Sequence, residues 1–439
     1  MPELSRAIGR VALVGLVLNV VIGSSVFGLP SVIAAKLGRA SPLAWVLAAA
    51  GMTSIILCFA EVASRFQRAG GAYLYARVAL GPFAGIEMAW LSYLVRLTAG
   101  ATNANLFVIY LAEWWPHATD PVESRVILAC MIAPLAVANY RGVGTALGVS
   151  STFTAAKLIP LAVFVLAGLA VVLGRGTAVH ATPAAAPTLG TWLEAILLLV
   201  FAYGGFEAAL FPLGEAKNPR RDAPIALLLA LGVCTLLYTL VQWVVVATLP
   251  DRGASTRPLA DSARIFLGPA GAAVLAVGAL ISVYGYMAGA MLVVPRLTYA
   301  MAEQGDLPSR LGAVHPRFRT PHVSIVVFAT LTWAMAASAG FLQNLSLSAV
   351  SRLLTYGVVC VAVLELRRRS ADPPWFRVSW GSAVPLLGLG FTAVLALRMN
   401  LRELALLTVT MALGLAHWWW MRRSGASAPN PESHRSEPG

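Results

Sequence analysis

Few residues in this 439-residue chain combine a reactive type with an unusual setting, and each of these lies in apolar surroundings. Lys157, in Thr154-Ala-Ala-Lys-Leu-Ile-Pro160, is the one charge in the stretch 147–173. A lysine, unlike an arginine, can surrender its proton, so one held in an apolar stretch is suited to proton transfer. Glu207 follows a glycine pair in Phe201-Ala-Tyr-Gly-Gly-Phe-Glu207. It can accept a hydrogen bond across that pair, take up a proton, attract a cation or cap a helix start. Residues for enzymatic chemistry are missing. The chain has no HExxH, GxSxG or P-loop pattern, and none of its six histidines and no aspartate lies deep in an apolar run. Cys58, Cys130, Cys234 and Cys360 sit inside such runs without CxxC spacing, which predicts free thiols rather than disulfides or a metal site. The expectation is a non-enzyme with neither catalytic residues nor a bound metal.

The elements that must hold these residues are membrane helices. The composition is 58% hydrophobic and 12% charged, where a soluble chain carries about 25% charged residues. The deficit runs evenly from residue 11 to residue 422, which predicts one membrane-embedded unit over 1–422 and a disordered cytoplasmic tail over 423–439. The net charge of +13 comes from short basic clusters between apolar runs, not from a basic face, which argues against nucleic acid as a partner. A helix needs about 20 apolar residues to cross the bilayer. On that measure there are about twelve spans: 11–36, 42–65, 83–112, 124–141, 147–173, 191–213, 224–249, 268–301, 322–341, 344–366, 383–399 and 402–422. The apolar run from Val11 to Ala35 is too long for a signal-peptide core and reads as a retained first span. With the N-terminus cytoplasmic, the inner segments hold about twice as many Lys and Arg residues as the outer ones, which predicts that both termini are inside. Arg96, Lys157, Arg296 and Arg352 fall within spans.

Two spans carry helix-disfavouring clusters: Gly23-Ser24-Ser25 in the first and Gly204-Gly205 in the sixth. Backbone N–H and C=O groups cannot go unpaired in lipid, so unwound chain at that depth lines a polar cavity or a ligand site. Freed N–H groups after the first interruption, through Ile22, Gly23, Ser24, Ser25 and Val26, suit a carboxylate, because a helix start carries partial positive charge. Freed carbonyls before the second, through Phe201, Ala202, Tyr203 and Gly204, suit an ammonium, with Phe206 beyond them. The two spans are five apart, so each can open a five-helix repeat, 11–173 and 191–366, followed by two further helices over 383–422. Interrupted spans in matching positions of two halves mark transporter sites. In the third span, Thr102 and Asn105 are three apart and share a face, which makes Asn105 a further candidate cavity residue. Arg96 has three possible surroundings: a pair with Glu87, a pair with Glu207, or an aqueous vestibule. Glu61, Arg65, Arg220, Arg221 and Asp222 read as a solvated face, with inner gate pairs as the alternative.

These stretches resemble the amino acid–polyamine–organocation transporter superfamily. Gly23-Ser-Ser-Val-Phe-Gly28 is similar to its span-one signature, with Ser25 where glycine is common. Phe201 to Glu207, with Gly214-Glu-Ala-Lys-Asn-Pro-Arg-Arg-Asp-Ala-Pro224, is similar to its span-six break and the following loop. Glu61-Val-Ala-Ser-Arg-Phe-Gln-Arg-Ala-Gly-Gly-Ala-Tyr-Leu-Tyr75 and Arg296-Leu-Thr-Tyr-Ala-Met-Ala-Glu-Gln-Gly-Asp-Leu-Pro308 are similar to two more of its loops. The likeness covers about residues 10–370.

The resemblance implies an all-α LeuT-type fold of two inverted five-helix repeats, with helices 1 and 6 broken at mid-membrane. It implies an amino acid substrate between spans one, three, six, eight and ten, no cofactor, and a place in the bacterial inner membrane. It makes Phe201 a candidate aromatic gate. It also likens Lys157 to the span-five lysine that stands in for a sodium ion in proton-coupled members, with Ser282 as a possible partner; the alternative is a static lysine bonded to the span-one break. The function so implied is amino acid uptake coupled to protons. Exchange of an amino acid for an amine is the alternative, and a non-transporting sensor is more remote. The apolar composition favours neutral substrates.

Overall fold

The computed structural model describes residues 9–66, 71–142, 146–175, 186–210, 216–251, 253–303, 307–369 and 374–423. The tail expected beyond 423 and parts of the quoted loops, namely 67–70, 214–215 and 304–306, lie outside the described residues.

Its elements are helices, because long apolar runs leave the backbone no partner but itself. In chain order these are α1 (Arg10–Val21), α2 (Ser25–Leu37), α3 (Ser41–Ala63), α4 (Gly71–Leu80), α5 (Pro82–Leu111), α6 (Pro121–Tyr140) and α7 (Ala146–Arg175). There follow α8 (Leu189–Tyr203), α9 (Phe206–Ala209), α10 (Pro219–Thr248), α11 (Pro258–Glu303), α12 (His322–Ser338), α13 (Phe341–Arg369), α14 (Ala383–Ala396) and α15 (Leu401–Arg423).

Eight helical stretches among the described residues are long and apolar enough to cross a membrane: 25–63, 82–111, 121–140, 156–174, 189–209, 219–248, 258–299 and 341–369. The sequence count was about twelve. The difference lies in α12 and α14, which are apolar but shorter, in α15, which is not among the eight, and in the first two expected spans, which share the stretch 25–63 because α2 and α3 run on through one tight turn at Gly38–Ala40. The chain is a multi-pass helical membrane protein.

Two features were not foreseen. Residues 71–80, expected as loop, form the amphipathic α4, whose Ala72, Tyr75, Ala76 and Ala79 are buried. Helix α11 is two helices joined across Gly268, which takes φ 71° just ahead of Pro269; the second starts where the expected span does, and the ten residues before it form a helix that was not foreseen.

Packing sets what faces what. Helix α5 lies against α13 and α11, α3 against α10, α7 against α11, and α1 against both α10 and α7. The α1–α2 and α8–α9 junctions are therefore surrounded by α5, α7, α10 and α13, and one continuous buried cluster, running from Leu13 through Phe206 to Val363, encloses them.

Candidate functional site

Helix α1 ends at Val21 and α2 begins at Ser25. The last carbonyls of α1 are left without helical partners, and two side chains from other helices supply donors. Lys157 of α7, fully buried, donates from Nζ to the carbonyls of Asn19 and Ile22, each at 2.8 Å. Tyr238 of α10 donates to the carbonyl of Val21 at 3.1 Å. A cation at a helix C-terminus also meets the negative end of its dipole. On the other side of the gap, the Ser24 N–H donates to Oδ1 of Asn103 on α5 at 3.2 Å.

Helix α8 ends at Tyr203, and Gly204 and Gly205 lead into α9. Gly205 takes φ 106°, in the left-handed region that glycine favours. The Gly205 N–H donates to Oε2 of Glu207 at 2.8 Å. The carboxylate is thus a local cap, one of the roles open to it from sequence, and it is also a node. Arg352 of α13 donates to Oε1 at 2.6 Å, Arg96 of α5 lies 3.2 Å from Oε1, and the Tyr356 hydroxyl donates to Oε2 at 3.3 Å. Charged groups within membrane helices pair with one another in this way. The guanidinium of Arg352 also lies 5.5 Å from the ring centre of Phe201. Ala72, Ser92, Val95, Arg96, Glu207, Arg352 and Thr355 line a small cavity beside this node.

Several candidate residues come together here: Ile22 through its carbonyl, Ser24 through its N–H, Lys157, Phe201 and Glu207. Gly23 is close by, and a Cβ on it would sit 3.5 Å from Asn103 Oδ1. Ser25, Val26 and Ala202 are buried at the same junctions. Others go elsewhere. Tyr203 sends its hydroxyl to the Trp45 carbonyl at 2.9 Å. Phe206 stacks on Tyr356 with centroids 5.5 Å apart.

Asn105 bonds the Ala339 carbonyl at 2.5 Å, and the α5 residue that reaches the first junction is Asn103. Two residues are some 200° of helix, so they point to opposite sides. Ser282 is buried, and its Oγ has no hydrogen-bond partner, so the expected bond to Lys157 is absent. Arg96 takes Glu207, while Glu87 lies instead against α15, where a Cβ on Gly414 would meet its carboxyl at 2.8 Å.

The expected solvated face holds for Arg220 and Arg221, which are exposed, and is corrected for the two acids. Glu61 is fully buried and held by Arg367 through contacts of 2.7 and 2.5 Å, with the Val378 N–H at 3.0 Å. Asp222 is buried and paired with Arg10 at 2.8 Å. Charges near helix ends looked exposed because their partners lie far away in the chain. Arg352 is the main residue that sequence reasoning left without a role. A charge inside an apolar run was the available signal, since such residues are usually functional.

No group of His, Cys, Asp and Glu side chains suited to a metal occurs among the described residues. Interrupted helices meeting around buried ion pairs, in a multi-pass helical chain, make a carrier for small solutes the class to which this molecule corresponds.

Comparison with known proteins narrows that class. Residues 8–412 match the family described as amino acid permease, and the chain belongs to it. An uncharacterized transporter of Mycobacterium tuberculosis is 30% identical over 423 residues, covering 94% of this chain and 91% of that protein. The methylthioribose transporter of Bacillus subtilis is 28% identical, covering 88% and 87%. The serine/threonine exchanger SteT of Bacillus subtilis is also 28% identical, covering 94% of each. The family is one of transporters, not enzymes, and its work is moving amino acids or related solutes across membranes.

Proposed function

We propose that this permease carries an amino acid across the cytoplasmic membrane by alternating access and that Lys157 couples the cycle to protons. The fold in this reading is LeuT-type, with repeats over 11–173 and 191–366, two accessory helices over 383–422, about twelve spans and both termini cytoplasmic. The α1–α2 and α8–α9 junctions are its mid-membrane breaks. The substrate carboxylate lies on the N–H groups of Gly23 to Val26, and its ammonium on the carbonyls of Phe201 to Gly204.

The observation that carries the reading is Lys157 on the carbonyls of Asn19 and Ile22. A lysine ammonium there neutralises the end of α1. Loss of its proton removes the charge and one of the three N–H donors, which weakens the hold of Lys157 on α1 and lets α1 shift against α7. Protonation and the position of α1 are then linked.

The test is uptake into proteoliposomes under an imposed pH gradient, comparing the native protein with Lys157→Met. Proton-driven accumulation should vanish while exchange of internal for external substrate persists. Proton-driven uptake unchanged in the variant would reject coupling at this residue. The similarity to an exchanger supports a second reading, obligatory exchange, in which the native protein accumulates nothing without internal substrate.

A further inference from the structure

We infer that the substrate carries a second anionic group, as an acidic amino acid does, and that Arg352 and Arg96 receive it. This deepens the carrier reading above and rests on it.

The residues lining the cavity beside Glu207 bear two guanidinium groups and one carboxylate. Arginine keeps its charge at any physiological pH, so the excess positive charge stays whatever state Lys157 is in. Arg352 is 2% exposed, and its Nε is buried without a hydrogen-bond partner. A buried charge with an unmet donor is unfavourable until a complementary group arrives. A zwitterionic substrate brings equal charges of both signs and leaves the excess standing. A cationic substrate adds to it. A substrate with one more carboxylate cancels it.

Position agrees with charge. A Cβ on Gly204 would lie 2.2 Å from Nη1 of Arg352, so the guanidinium lies over the interrupted backbone itself. Arg96 is seven residues from Asn103 on α5, two turns along the same face and about 10 Å away. Asn103 marks the Ser24 N–H at the start of α2. A short dicarboxylate with hydrogen bonds of about 2.8 Å at each end covers that separation. Ser92 and Thr355 line the same cavity with hydroxyl groups that can complete the set.

The experiment uses the full chain in proteoliposomes preloaded with a mixture of the twenty amino acids. It compares exchange uptake of radiolabelled glutamate with glutamine, and of aspartate with asparagine. Each pair matches in size and differs in charge. The acidic member should be favoured by more than about tenfold, and Arg352→Gln should bring the ratio to within about threefold. Equal or better uptake of the amides overturns the inference and leaves the carrier reading intact. So does transport of other amino acids when none of these four is taken. An unchanged ratio in Arg352→Gln removes Arg352 as the receiving group. Failure to exchange any of the twenty overturns the carrier reading together with the inference. If Arg352→Gln does not fold, thermal protection of the native protein by glutamate against glutamine decides: protection by glutamate alone supports the inference, and equal protection overturns it.

Discussion

The Cβ that Gly205 lacks would stand 2.4 Å from the carbonyl oxygen of Val20. The two interrupted helices therefore touch through bare backbone. Gly205 also holds φ 106°, which costs a side-chain-bearing residue about 1–2 kcal/mol in local conformation alone. Gly205→Ala should lower the unfolding temperature in detergent and abolish transport. An unshifted melting curve would show that the junctions can separate at little cost.

Glu207 anchors both arginines, so removing its charge leaves two guanidinium groups buried without their acid. Breaking a buried ion pair by removing one partner costs about 3–5 kcal/mol. Glu207→Gln should be destabilised to that extent, and Glu207→Gln combined with Arg352→Met should recover much of the loss. Denaturant unfolding of the two single variants and the double variant checks this. Additive losses would mean that the 2.6 Å contact between the side chains contributes no coupling.

Asn103 and Asn105 separate site from scaffold. Asn103→Ala removes the acceptor of the Ser24 N–H and should impair transport with little change in stability. Asn105→Ala removes a bond to the Ala339 carbonyl between α12 and α13 and should cost about 1 kcal/mol of stability while apparent affinity holds. The two readouts should cross over. The same phenotype from both would contradict the assignment.

Arg367 and Glu61 tie α13 to the end of α3 with two hydrogen bonds, and the Val378 N–H adds a third to the same carboxylate. Arg367→Ala leaves a buried carboxylate short of its main partner, with Arg65 3.8 Å away as a weaker substitute. The expected loss is about 3 kcal/mol, with Arg367→Lys intermediate, because an ammonium cannot reproduce the two-pronged contact. Unfolding midpoints in a denaturant series test the order Arg, Lys, Ala.

What could be read from sequence was whatever local chemistry dictates. A run such as 147–173 has no way to satisfy its backbone in lipid except as a helix, so the helical elements followed from composition. Gly23-Ser24-Ser25 and Gly204-Gly205 are poor helix formers, and the structure ends one helix and begins another at both places. Lys157 stood out as the one charge in the run 147–173, and the structure gives it two backbone carbonyls. The amphipathic α4 was missed because its small and aromatic residues, beside a Gly-Gly turn, resemble a loop as much as a helix.

The amino-acid sequence by itself determined that this chain is a bundle of membrane helices, where those helices are interrupted, and which few side chains are out of place among apolar neighbours. Each of these follows from a residue and its near neighbours. Only the tertiary structure decided the partners: Arg96 with Glu207 rather than Glu87, Asn103 rather than Asn105 at the first junction, Arg352 over Gly204, and Glu61 buried against Arg367 instead of facing water. A partner depends on the rotation of each helix about its axis and on which distant helix packs beside it. Those are set by the summed packing of the whole bundle, and a local stretch of sequence does not contain them.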